Sequence, residues 1–136
     1  MAKFQFHLVA PDKITFSGEV DQVDVPGAMG DFGVLAGHEP TIALLRPGIL
    51  TIHADGQKTA MVVLGGLAEI NEAGLTVLAN LADRVDEMDR SIIAEKIKEL
   101  EAQIKEMEPN GALDKAIKRL DQFKQIDQHL TGTAMH

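Results

Sequence analysis

The chain changes its hydrophobic period once. Up to about residue 82, apolar and polar positions alternate in short runs; after residue 87 they recur at helical spacing. Phe4, Phe6 and Leu8 repeat every second residue until Pro11 and Asp12 break the run, which predicts a first strand. Val23 and Val25 lie in a second short strand ended by Pro26 and Gly27. Arg46-Pro47-Gly48 reads as a turn, with Leu50, Ile52 and Ala54 alternating beyond it. Asp55-Gly56 is a hairpin signal, because both central positions of such a turn favour positive φ. The return strand, 60–64, is expected to stop at Gly65-Gly66, and a further hairpin joins 67–70 to 75–79. Each strand buries one side chain in two, so two facing sheets are needed to enclose them. The pattern predicts a small β-sandwich or flattened barrel.

Beyond residue 87, Ile93, Ile97, Leu100, Ile104 and Met107 recur at alternating spacings of four and three, one apolar stripe on a helix. Asp89 is placed to cap its N-terminus. Pro109-Asn110-Gly111 stops it, since proline cannot continue the hydrogen bonding and Asn-Gly favours a turn. Leu113, Ala116, Ile117, Leu120, Phe123, Ile126 and Leu130 line a second helix. Glu101/Lys105 and Asp114/Lys118 sit four apart with the acid first, the favourable order on a solvated face. Two helices with one stripe each must pair as an antiparallel hairpin. The fold class is therefore mainly β with α: an N-terminal β-sandwich over 1–84, then a C-terminal helical hairpin over 85–136.

Composition narrows the chemistry. The chain of 136 residues has no cysteine, which excludes disulfides, thiolate nucleophiles and sulfur-ligated zinc. A formal net charge of -8 disfavours general binding to nucleic acid or anionic lipid. Tyrosine and tryptophan, the usual platforms for stacked bases, are absent. The N-terminus does not read as a signal peptide, and no apolar run reaches the roughly 20 residues that span a bilayer. Membrane association is then expected only through a partner.

The stretch GAMGDFGVLAGHEP, residues 27–40, concentrates the candidate chemistry. Its glycines suggest a phosphate loop, but the Lys-Ser/Thr ending and the following helix of such a loop are missing. A metal site would need Asp31, His38 and Glu39 to converge, and the remaining histidines lack ligand spacing. Ser17 and Ser91 stand outside any nucleophile elbow, and Glu69 reads as an outward strand residue. Neither catalytic, cofactor nor metal residues are assigned. Phe32, Val34 and Leu35 suit a core, whereas Met29 and Asp31 suit an exposed contact loop.

VPGAMGDFGVLAGHEP, followed in order by LRPG, DG, LGGLAEI and LTVLANLA, closely resembles the epsilon-subunit family of the F-type ATP synthases, which includes the mitochondrial delta subunit. The likeness runs from Phe4 to about Ala82; the hairpin matches in architecture more than in residues. The resemblance implies a non-catalytic subunit of the central stalk, against the gamma subunit and the c ring, on the cytoplasmic face of a bacterial inner membrane. Gly30, Asp31 and Phe32 then stand where the family approaches the polar loops of the c ring, and His38 near gamma. The resemblance also implies a hairpin able to extend along gamma to the alpha/beta head and inhibit ATP hydrolysis. Some bacterial members bind ATP through a motif resembling Ile/Leu-Asp-x-x-Arg-Ala. The matching MDRSII, residues 88–93, keeps Asp89 but has Ile92 at the arginine position and Ile93 at the alanine position. Isoleucine offers no guanidinium donors, which argues against an ATP site. Two other readings are an ATP-binding sensor and a free-standing adaptor of the same fold.

Overall fold

The computed structural model describes residues 2–134. Eight strands come first: β1 (Phe4–Ala10), β2 (Lys13–Val20), β3 (Gln22–Gly27), β4 (Gly30–Leu35), β5 (Thr41–Ala54), β6 (Gln57–Asn71), β7 (Gly74–Ala79) and β8 (Ala82–Arg84). A 3-10 turn, Val85–Glu87, precedes helices α1 (Arg90–Glu106) and α2 (Gly111–Ala134). The chain divides into two compact units, with the boundary between Val85 and Asp86.

In the first unit the strands hydrogen-bond in the order β2-β1-β7-β6-β5-β3-β4, with β8 added on β6. All pairs are antiparallel except β1 with β7. Residues from both ends of that order share one core: Phe6 and Leu8 of β1 and Val77 of β7 cluster with Val23, Val25 and Val34 of β3 and β4. The sheet path is therefore folded over on itself, a sandwich whose two layers are joined by the long strands β5 and β6.

Those two strands correct the sequence reading. Arg46-Pro47-Gly48, expected as a turn, lies inside β5, and Gly65-Gly66, expected to end a strand, lies inside β6. Both are bends in continuous strands, opposite each other in the β5–β6 ladder. Pro47 falls in the gap where pairing of β5 with β3 jumps from Thr51–Asp24 to Leu45–Gly27, so its missing N–H is not needed there. Gly66 has φ +140°, and a Cβ at this site would lie 2.1 Å from the Leu78 carbonyl oxygen, so only glycine lets β6 bend this close to β7.

In the second unit, Asp89 caps α1 by accepting from the Ser91 amide at 2.9 Å, as expected. Asn110 does the same for α2, accepting from Ala112 and Leu113 amides at 2.9 and 3.3 Å. An ion pair from Arg90 to Asp127 at 3.4 Å ties the start of α1 to the far part of α2, which makes the hairpin antiparallel. Ile93, Leu100, Phe123, Ile126 and Leu130 are buried. Ile117, placed in the stripe by spacing, is about half exposed (48%) and sits at its edge.

Candidate functional site

The glycine-rich stretch is a β-hairpin. Strands β3 and β4 pair from Gln22–Leu35 to Gly27–Gly30, leaving Ala28 and Met29 at the tip. Two glycines make the turn feasible. Gly30 has φ +131°, and a Cβ on Gly27 would meet the Gly30 carbonyl oxygen at 2.5 Å. The tip is also fastened to β5. The Ala28 amide donates to the Leu44 carbonyl at 2.8 Å, and Arg46 Nη1 donates to the Gly27 carbonyl at 2.7 Å. The other arm of the same guanidinium, Nη2, pairs with Asp31 Oδ1.

The candidate residues separate accordingly. Gly30, Phe32 and His38 converge on a groove of about 580 Å³ beside the tip, together with Met29, Ile42 and Leu44. Asp31 is solvent-exposed but occupied by Arg46, and it does not line that groove. Phe32 is half-buried and packs on the core, Val34 is buried, and Leu35, expected in the core, is exposed. The His38 ring lies in the following loop with Nδ1 2.8 Å from the Glu39 carbonyl oxygen. Among the described residues, Asp31, His38 and Glu39 do not gather as metal ligands.

Met29 is fully exposed at the tip, and Ile42 (70%) and Leu44 (67%) are exposed beside it. Strand register carries this apolar surface across the layer. Leu44 is paired with Leu67, Leu67 with Leu78, Leu78 with Val9, and Val9 with Ile14. Paired residues project from the same face, so five strands present one apolar row about 19 Å long. Leu78 and Ile14 on it are exposed as well. Contiguous apolar rows of this kind are typical of surfaces on which proteins dock. Sequence reasoning missed Ile42, Leu44 and Arg46. In TIALLR both faces of the strand are apolar, so alternation carries no sign of which is the outer one.

Elsewhere on β3 and β5, His53 Nε2 lies 2.7 Å from Asp24 Oδ2, and Gln22 Nε2 donates to Asp24 Oδ1 at 2.6 Å. Partial burial opposes ionisation of Asp24, but the hydrogen bonds from His53 and then Gln22, with the charge of Lys58, hold its carboxyl below the usual range.

A family model of the ATP synthase delta/epsilon chain, β-sandwich domain, matches residues 3–85. The chain belongs to this family. The ATP synthase epsilon chain of Afipia carboxidovorans is 58% identical over the full length of both chains, and an epsilon chain of Nitrobacter hamburgensis is 57% identical, again over both full lengths. Among solved structures, a chain of the Euglena gracilis mitochondrial ATP synthase, described with OSCP, F1 and c-ring, is 27% identical with a TM-score of 0.68, covering all of this chain and 83% of that one. A chain from the central stalk and c-ring of the Tetrahymena thermophila enzyme has a TM-score of 0.61 at 13% identity, a likeness of fold. As a member of the family, the chain is a non-catalytic subunit of an ATP synthase. The sandwich-plus-hairpin architecture expected from the two periods is the one observed. Among the described residues no helix is long and apolar enough to cross a membrane.

Proposed function

We propose that this chain works in the central stalk of a proton-translocating F-type ATP synthase, holding gamma to the c ring so that rotation reaches the catalytic head. The observation that carries this reading is the β3–β4 tip. It is fastened to β5 by the Ala28 amide and the Arg46 guanidinium, yet it presents Met29 fully exposed at one end of the apolar row. A pinned tip suits repeated contact with the polar loops of a ring, because a contact that must carry torque cannot be flexible. The apolar row suits a lasting partner, and gamma is the stalk subunit that fits. His38, in the groove between tip and row, stands near both contacts in this reading.

The two units take separate roles, with 1–84 as the stalk-binding sandwich and 85–136 as a regulatory hairpin able to reach the alpha/beta head and restrain ATP hydrolysis. Ile92 and Ile93 at the family's ATP motif favour a hairpin that regulates without holding ATP. The protein sits at the cytoplasmic face of a bacterial inner membrane, held there by its partners. Asp31→Arg tests the coupling role. It sets a second guanidinium against Arg46 and reverses the charge beside the tip, so proton pumping per ATP hydrolysed should fall in reassembled membranes. Unchanged pumping in a normally assembled complex would refute the assignment of the tip.

A further inference from the structure

We infer that Arg46 is the positioning residue of the β3–β4 tip, and that its guanidinium sets the presentation of Met29 by gripping both sides of the hairpin. This rests on the reading of the tip as a ring contact. Gly27 closes β3 and Asp31 follows the first residue of β4, so the two groups that Arg46 engages flank the turn. Nη1 donates to the Gly27 carbonyl at 2.7 Å and Nη2 to the Asp31 carboxylate. A planar fork spans two acceptors at fixed spacing, which a single ammonium cannot do. The side chain is largely buried (24% exposed), whereas the Asp31 carboxylate is 73% exposed. The cation therefore belongs to the body of the sandwich, and the carboxylate reaches it from the solvent side.

The arrangement also gives the bend in β5 a purpose. Arg46 stands opposite Gly65, between the pairs Leu45–Gly66 and Pro47–Leu64, where β6 bends at two glycines of positive φ. At the same point the β3–β5 ladder is interrupted between Asp24–Thr51 and Gly27–Leu45. Pairing resumes at Gly27–Leu45, and at that junction the Gly27 carbonyl also accepts from the Arg46 side chain. The Ala28 amide, bonded to the Leu44 carbonyl, is the second fastening. Loss of Arg46 removes one fastening of the tip to β5 and leaves the Ala28 amide and the Gly27–Leu45 pairing to hold it.

The test uses the full chain and then the reassembled complex. Hydrogen exchange at the Ala28 amide and the methyl resonance of Met29 are read in Arg46→Gln and Arg46→Lys. Proton pumping per ATP hydrolysed is read for the same variants. Arg46→Gln should exchange about tenfold faster at Ala28, the equivalent of one charge-assisted hydrogen bond lost. It should also shift the Met29 methyl and lower pumping. Arg46→Lys keeps the charge without the fork and should fall between. Asp31→Asn should show a smaller version of the same shifts and add little on top of Arg46→Gln, because both act through one clamp. If Arg46→Gln does not fold, Arg46→Lys and Asp31→Asn decide alone. Unchanged exchange and an unmoved Met29 methyl overturn the clamp while leaving the coupling role of the tip standing. A loosened tip with undiminished pumping overturns instead the claim that tip geometry matters to coupling.

Discussion

Gly66→Ala is the sharpest test of how the sandwich is closed. At φ +140° an alanine is already in a region reserved for glycine, a strain of about 1–3 kcal/mol. Its Cβ would also lie 2.1 Å from the Leu78 carbonyl oxygen and 2.8 Å from Ala79 Cα, both backbone atoms of β7. No rotamer relieves a backbone contact, so β6 and β7 must separate by about 1 Å in a close-packed interior. That costs at least one ladder bond near the Gly66–Ala79 pair, about 1 kcal/mol. The sum is on the order of 3 kcal/mol, against about 4–13 kcal/mol expected for a unit of this size. Gly56→Ala is the control. Its φ is +77° but nothing lies within 4 Å of the added Cβ, so only about 1 kcal/mol of left-handed strain applies. The chain has neither Trp nor Tyr, so urea unfolding is followed by far-UV circular dichroism. With a slope of about 1 kcal/mol/M, the two midpoints should differ by about 2 M. Equal shifts for the two variants would show that close approach of β7 is not what demands glycine at Gly66.

Other outcomes follow from single contacts. Asp24 has a folded-state carboxyl below its ordinary 3.8, so its contribution is present above that value and is lost as pH falls through the lower one. His53→Ala removes the largest opposing hydrogen bond and leaves burial less compensated; the Asp24 carboxyl should then titrate higher by carbon-detected NMR, and an unmoved titration would discount the pair. Asp89 is held down by the hydroxyl and amide of Ser91, so the first turn of α1 should fray as pH falls through its depressed value. Asp89→Ala should reproduce that fraying at neutral pH, seen as faster exchange at Ser91; protection retained at Ser91 would count against the cap. Deleting residues 88–136 should leave a folded sandwich that still binds gamma, because every residue of its core cluster lies between Phe4 and Ala82. Loss of dispersed amide resonances in the truncated chain would contradict separable units.

Much of the architecture was legible because it rests on local pattern. Alternation marked β1, β3 and β7, Asp55-Gly56 marked the β5–β6 hairpin, and spacings of three and four marked both helices. Asp89 was found as a cap because the motif is local: one carboxylate, two residues before the amide it accepts from. β2 and β4 were not read as strands. β4 runs through GDFGVL, where two glycines in six residues mask the period, and the alternation of β2 is blurred by a bulge opposite Leu8 and Val9. Arg46 and Gly65-Gly66 were read as punctuation, since turn formers look alike whether a chain reverses or a long strand bends.

The sequence by itself determined that strands precede helices, where the period changes, and that Asp89 caps the first helix. Each follows from interactions within a few residues of chain. Only the tertiary structure decided which apolar residues are core and which are surface. Leu45 is buried and Leu44 exposed, and nothing local distinguishes them until the sheet folds over, packs one face of β5 into the shared core and leaves the other open. It also decided that Asp31 is no isolated charge. Its partner Arg46 lies fifteen residues away, on the strand that pairs with β3. Contacts between distant segments depend on how the sheet folds over, and that is settled by packing the whole core.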